Sequence, residues 1–235
     1  YIDMKHTGMP KGWVKVDNYT LIGSDNNYSL NKLSINSNDT TILLDSDFGH
    51  VEICGNYNYK TIGSSIMGII NSRLSFTDKS TSKASKKQNR FRLNAEIKDT
   101  EWLSSIFGIP AEISSPLTMR GSVDDSKKTI SLSCNLPYIK YNGSEYKDIN
   151  AYIRTPNDTL QAYATINKIQ KNGGNLVLKA KADAVDDKLL SLFDIDVNQE
   201  KPISGTLYAE TNFLRNETGE HVAHINIHPS VMMMN

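Results

Sequence analysis

The residues that could bind a metal are few and poorly grouped. His221, His224 and His228 are the closest approach to a set of metal ligands. On a strand, His224 and His228 would share a face but lie roughly 13 Å apart at about 3.3 Å per residue, too far to bind one ion. We therefore interpret all three as surface histidines and expect neither a metal nor a cofactor.

A second set of reactive residue types is Asp45, Asp47 and His50. A hydrolytic site would need a nucleophile motif or a glycine elbow beside them, and the sequence has neither. A turn over residues 45–49 explains the two aspartates better, because Asp is a frequent turn residue. The sequence therefore predicts no catalytic residues and a protein that is not an enzyme.

The chain has two cysteines, Cys54 and Cys134. A disulfide framework would need more cysteines at patterned spacings. We interpret both as small apolar residues on inward faces. A single bridge between them is the less favoured alternative.

Composition excludes some classes of protein. In 235 residues, 26 Lys and Arg balance 26 Asp and Glu, which argues against a dedicated nucleic-acid binder. No apolar run approaches the roughly 18 residues that cross a membrane, and no signal peptide is recognisable. Because the chain starts without Met and ends within an apolar run, we expect residues 1–235 to be a fragment of a longer protein.

Alternation of apolar and polar residues dominates the sequence. Along Phe91–Lys98 every odd position is apolar and every even position is polar, which predicts a strand with one apolar face. Several further segments repeat the pattern. The apolar positions predicted to share one face are Phe91, Leu93, Ala95, Ile97, Ile130, Leu132, Leu160, Ala162, Ala164, Ile166, Leu176, Leu178, Ala180, Ile203, Leu207 and Ala209.

Two segments have helical spacing instead. Ile62–Leu74 predicts a helix with Thr61 as its N-cap, and Asp99–Phe107 predicts a second. Between them, residues 76–90 are rich in Ser and Lys and predict a flexible linker. We expect the first helix to pack on the end of the sheet. The alternatives are a helix on a membrane surface and a plug in a groove.

The sequence also repeats itself. Leu93–Val123 aligns with Leu178–Ala209, and Leu103–Ile109 with Leu189–Ile195. The unit is interpreted as strand, short helix and a strand led by proline. The predicted divisions are 12–75 (first β repeat plus helix), 76–90 (linker), 91–150 (strand–helix–strand) and 151–235 (second strand–helix–strand).

Repeated strands with one apolar face cannot each bury that face alone, so they must continue one another in a sheet. The expected fold is all-β with minor helices: an elongated, curved antiparallel sheet whose apolar faces form a groove shaped like a folded taco. Two sheets closing over each other as a sandwich are the alternative. The many small residues on the apolar positions favour the groove, since a sandwich core needs more bulk.

Several segments, in their order and spacing, resemble one family. They are Gly55–Tyr59 before the first helix, Asn94–Thr100 leading to Ile109 and Pro110, Tyr141–Gly143, and Ser204–Leu207 leading to Asn226–Ser230. Together they are similar to the TamB (translocation and assembly module, AsmA-like) family of bacterial envelope proteins, particularly its Bacteroidetes forms. The likeness extends from about Leu30 to the end of the chain.

This resemblance implies a function. TamB-like proteins are anchored at the inner membrane by an N-terminal helix and cross the periplasm as a continuous β-sheet with a hydrophobic groove. The family implies outer-membrane biogenesis and phospholipid transport, with acyl chains as ligand and a BamA/TamA-like outer-membrane barrel as partner of a C-terminal region that this chain lacks. It offers no catalytic residues.

A β-sandwich module for interaction or adhesion, exported to the surface with a closed core, is the alternative function. In either case, the two edges of an isolated sheet segment could pair with another copy.

Overall fold

The computed structural model describes residues 2–3, 11–22, 27–74, 88–98, 110–113, 116–170, 173–199 and 202–234. Within these ranges the chain is almost entirely β-strand, with one α-helix. The elements are β1 (Ile2–Asp3), β2 (Lys11–Ile22), β3 (Asn27–Ser37), β4 (Thr41–Ser46), β5 (Gly49–Asn56), α1 (Ile62–Asn71), β6 (Arg90–Ile97), β7 (Ala111–Glu112), β8 (Leu117–Asp124), β9 (Thr129–Tyr141), β10 (Ser144–Arg154), β11 (Leu160–Ile169), β12 (Asn175–Val185), β13 (Lys188–Asn198), β14 (Ile203–Arg215), β15 (His221–Ile227) and β16 (Val231–Met234).

The described strands form one open antiparallel sheet that is elongated and curved, as predicted. From β1 to β15 each strand pairs with the next along the chain, except that the short β7 pairs with β9 beyond the end of β8. β16 pairs with β14 beside β15. This simple meander follows from short polar turns between strands, which leave consecutive strands as neighbours.

Tight turns set the register of the sheet. The β9–β10 turn contains Asn142 and Gly143 at φ 48° and 72°, and the β12–β13 turn contains Asp186 and Asp187 at φ 49° and 60°. Two-residue loops with positive φ match the right-handed twist of the strands that they join. Because a slip by one residue would turn every side chain to the other face, these turns help to keep the apolar positions together.

One predicted helical segment is a strand. Leu189–Ile195, aligned with the helix of the first repeat, lies within β13, so the strand–helix–strand division of 151–235 is wrong. β13 pairs with β12 from Lys188 to Asn198, and this ladder overrides the helical spacing of its leucines. The described residues of 151–234 contain strands and a short 3₁₀ turn at Pro156–Asp158.

The predicted first helix is confirmed as α1, although it ends at Asn71 rather than Leu74. Thr61 occupies the N-cap position, but its hydroxyl donates to the carbonyl oxygen of Asn58 instead of capping the helix. The predicted second helix, Asp99–Phe107, lies outside the described residues. So does the predicted linker apart from residues 88–90, of which Arg90 begins β6.

Candidate functional site

The strand register places every predicted apolar residue on one face of the sheet. Residues directly opposite each other in an antiparallel ladder point to the same face. One such row runs Ala95, Met119, Cys134, Ala151, Ala164, Ala180, Phe193, Leu207 from β6 to β14. We call this surface the apolar face and the opposite one the outer face. Further members of the apolar face are Ile35, Leu44, Val51, Ile53, Val123, Leu136, Ile153, Ala182, Ala184, Leu189, Ile195 and Val197.

The outer face is polar. Arg92 and Arg120 lie there on β6 and β8, and Lys179 on β12. Tyr152 and Tyr163 stack on this side with ring centroids 5.5 Å apart. A sheet with one apolar and one polar face needs a cover on the first only.

α1 covers one end of the apolar face, as predicted for its packing. Ile69 is fully buried and belongs to a core with residues from the ends of the strands beneath it. These strand-end residues are Phe91, Val123, Ile130, Leu160 and Ala184, each 1–7% exposed. This end of the apolar face is therefore a dry core.

The first turn of α1 is held by Asn89, whose side chain is buried. Asn89 donates to the hydroxyls of Thr61 (2.9 Å) and Ser65 (2.6 Å) and accepts from the backbone N–H of Asn58 (2.6 Å). The Ser65 hydroxyl in turn donates to the Asp125 carboxylate in the β8–β9 turn (3.1 Å). These bonds satisfy polar groups that would otherwise be buried without partners.

The residues after α1 are held by two later turns. Arg73 donates to the carbonyl oxygen of Asp158 in the β10–β11 turn (3.1 Å), and the Arg73 carbonyl accepts from the N–H of Asp187 in the β12–β13 turn (2.8 Å). The first turn of α1 thus contacts the β8–β9 turn, and the residues after its last turn contact the β10–β11 and β12–β13 turns. The helix axis consequently runs across the strands, along the row of turns.

Away from α1, none of the described elements covers the apolar face. Leu178, Phe193 and Leu207, on three adjacent strands, are 36%, 40% and 39% exposed. Ala164, on the neighbouring β11, is also exposed. An apolar surface of this extent left uncovered marks a place where something binds.

A cavity of about 620 Å³ lies at the strand ends opposite α1, between the β9–β10 turn and the β11–β12 connection. Its lining includes Ser144, Lys168, Gln170 and Leu176. Sequence reasoning missed it because the β10 register shifts between Lys147 and Asn150. Alternation alone does not reveal such an irregularity.

The two cysteines lie on opposite faces, and both are free. Cys134 is on the apolar face, as predicted, and burial raises the pKa of its thiol. Cys54 pairs with Arg92 on the outer face, which corrects its predicted inward position. This opposite placement explains why the alternative of a Cys54–Cys134 bridge is not realised.

Asp45 and Asp47 have structural partners. The Asp47 carboxylate accepts from the backbone N–H of Asn31 (2.6 Å) and of Lys32 (3.3 Å). Asp45 pairs with Lys32, whose hydrogen bond and charge lower the pKa of the Asp45 carboxyl, and also faces His50. These contacts fasten the β4–β5 turn to β3. Within the described part of the chain, no group of three or more His, Cys, Asp or Glu side chains is placed to hold a metal ion.

Comparisons of the chain with protein-family models, with curated proteins and with solved structures gave no match. No helix among the described residues is both long enough and apolar enough to cross a membrane.

Proposed function

We propose that this chain is a non-enzymatic, periplasmic segment of a longer envelope-biogenesis protein, and that its apolar face carries phospholipid acyl chains between the inner and outer membranes. The supporting observation is an apolar face that continues across strands β3 to β14 and that no described element covers away from α1. The resemblance to the TamB family supports the same function. It also supports a role in outer-membrane protein assembly, with an anchoring helix and a BamA/TamA-like partner that involve other parts of the longer protein.

The mechanism is passive. Burying an acyl chain against the apolar face is favourable by about 0.8 kcal/mol per methylene, while the headgroup stays in water. In its open part the face presents methyl and methylene groups, such as those of Ala164, Ala180 and Leu178, in regular rows. The acyl chains form no hydrogen bonds with these groups, so the chains can slide along the face at little cost.

The test is native mass spectrometry of the purified chain, followed by photo-crosslinking with benzoylphenylalanine at single positions. Leu178 and Phe193 probe the open apolar face, and Lys179 and Leu192 are matched controls on the outer face of the same strands. We expect co-purified phospholipid that crosslinks from the first pair and not from the second. A lipid-free protein in which Leu178 is protected from solvent would instead favour the closed interaction or adhesion module.

A pair of substitutions gives a second readout. Ala164→Asp places a charge on the exposed part of the apolar face, and Thr165→Asp places it on the outer face one residue away. An unpaired carboxylate beside an acyl chain is costly. We expect bound phospholipid to fall at least about tenfold in the first variant and to be unchanged in the second. Equal lipid content in both would contradict the proposed function.

A further inference from the structure

The cavity at the strand ends opposite α1, which we call the rim cavity, contains a cation at the end of an apolar row. The apolar-face positions of β11 run Leu160, Ala162, Ala164, Ile166 and then Lys168. Lys168 pairs with Leu176 on β12 and with Tyr146 on β10, so all three point to the same side of the sheet. This inference rests on the proposed function and adds an orientation to the bound lipid.

The charge of Lys168 is not neutralised within the described part of the chain. Its ammonium stands over the Tyr146 ring, 5.8 Å from the centroid, and it has no carboxylate partner there. Lys140 on β9 and Lys181 on β12 pair instead with Glu112 (3.6 Å) and Asp183 (3.5 Å). A cation without a partner at the end of an apolar row is suited to an anion attached to an apolar chain.

The other groups of the rim cavity suit the same anion. The Ser144 hydroxyl and the Gln170 amide can both donate hydrogen bonds, as a phosphate requires. Glu145 also lines the cavity, but it follows Ser144 and precedes Tyr146 on β10, so its side chain points to the opposite face.

We propose that the rim cavity binds the phosphate of a phospholipid headgroup through Lys168, with the acyl chains running along β11 and β12 toward α1. The two ends of the apolar face differ in polarity and in exposure to water, as this orientation requires. At the α1 end, residues such as Leu160 and Ala184 are buried in a dry core, where a charged headgroup would lose its hydration. At the other end the cavity is open and polar groups line it.

The experiment compares two lipids with identical short acyl chains, phosphatidylglycerol and diacylglycerol, binding to the full chain. Lys168→Glu is the test variant. Lys179→Glu is its matched control, because Lys179 lies on the outer face of β12 and likewise has no carboxylate partner in the described chain. Circular dichroism and thermal unfolding verify that both variants fold as the wild type does.

We expect Lys168→Glu to weaken phosphatidylglycerol binding by at least about fivefold, without changing diacylglycerol binding. Lys179→Glu should change neither. An equal effect of Lys168→Glu on both lipids, or no effect on either, would overturn the headgroup assignment while leaving the proposed function standing. If the wild type bound neither lipid, the proposed function itself would fail.

A separate arm distinguishes a headgroup from free phosphate. Millimolar inorganic phosphate should not displace bound phosphatidylglycerol, because the acyl chains supply most of the binding energy. Displacement by inorganic phosphate that Lys168→Glu abolishes would show a site for a free anion, and would overturn the proposal.

Discussion

Cys134 lies on the apolar face between Met119 and Ala151, in the same row as Ala164. Thiol alkylation requires the thiolate, and burial raises the pKa of Cys134 above its ordinary value, so less thiolate is present at a given pH. We predict that iodoacetamide modifies Cys134 at pH 8 several-fold more slowly than Cys54. The rate of Cys134 modification should still increase with pH at a pH where the modification rate of a thiol with an ordinary pKa has reached its maximum.

Single variants measure each thiol separately, with Cys54→Ser reporting Cys134 and Cys134→Ser reporting Cys54. Because the two cysteines lie on opposite faces, bound phospholipid should protect Cys134 further and leave Cys54 unchanged. Equal protection of both thiols would show that lipid does not select the apolar face.

Asn89 joins the start of β6 to α1 and is 1% exposed. Asn89→Ala leaves the Asn58 N–H without its acceptor, which costs about 1–3 kcal/mol. It also removes the two hydrogen bonds that Asn89 donates to the Thr61 and Ser65 hydroxyls, although these hydroxyls keep their own acceptors. We predict that the free energy of unfolding falls by about 2–4 kcal/mol, measured by urea denaturation. Asn94→Ala on the exposed outer face of the same strand is the control and should change it by less than about 0.5 kcal/mol.

α1 is the element that makes one end of the apolar face a core. Ile69 is fully buried beneath it, whereas Met67, two residues earlier on the same helix, is 48% exposed. Removing the Ile69 side chain leaves a cavity, so Ile69→Ala should lower the free energy of unfolding by about 2–4 kcal/mol. Met67→Ala should lower it by less than about 0.5 kcal/mol. Similar losses in the two variants would mean that α1 does not pack by this face.

The alternation of apolar and polar residues predicted the strands well. The prediction failed in a segment where helical spacing and strand alternation both fit the apolar residues. Leu189, Leu192 and Phe193 have helical spacing, yet Leu189, Phe193 and Ile195 also fit alternate positions of a strand. The choice depends on the turn at Asp186 and Asp187, which sets the pairing of β13 with β12. Such long-range pairing is not readable from a local window.

The residues that lie on the apolar face could be predicted, because a register shift by one residue would turn all the apolar side chains of a strand to the other face. The placement of Ser144 and Tyr146 on the same side as Lys168 could not be predicted, since it depends on an irregularity in β10, where Asp148 has φ 52°. Cys54 was misplaced although Val51 and Ile53 on the same strand already assign it to the opposite face. The sequence thus determines the faces of regular strands better than the details at their ends.

At the scale of the whole molecule, the described sheet is open, and β15 forms one of its edges. Backbone hydrogen bonds join His228 to Tyr208 and Asn216 to Glu220, two pairs in the same register as β14 and β15. Hydrogen-bonded and non-hydrogen-bonded pairs alternate in an antiparallel ladder. The backbone N–H of Ile225 therefore points away from β14, toward the open edge.

Within the described sheet, the outer edge of β15 has no partner strand and lies next to exposed apolar side chains. Such an edge is a template for another strand, so we predict that copies of this chain associate through it. Ile225 is 67% exposed, so replacing its side chain costs little core packing. Ile225→Pro removes the outward N–H without breaking the β14–β15 ladder, and should weaken association at least about tenfold. Ile225→Ala keeps the N–H and is the control that isolates the side chain. Sedimentation equilibrium measures the association of the wild type and of both variants. A wild type that stays monomeric at every concentration, or equal association of all three proteins, would show that this edge does not pair.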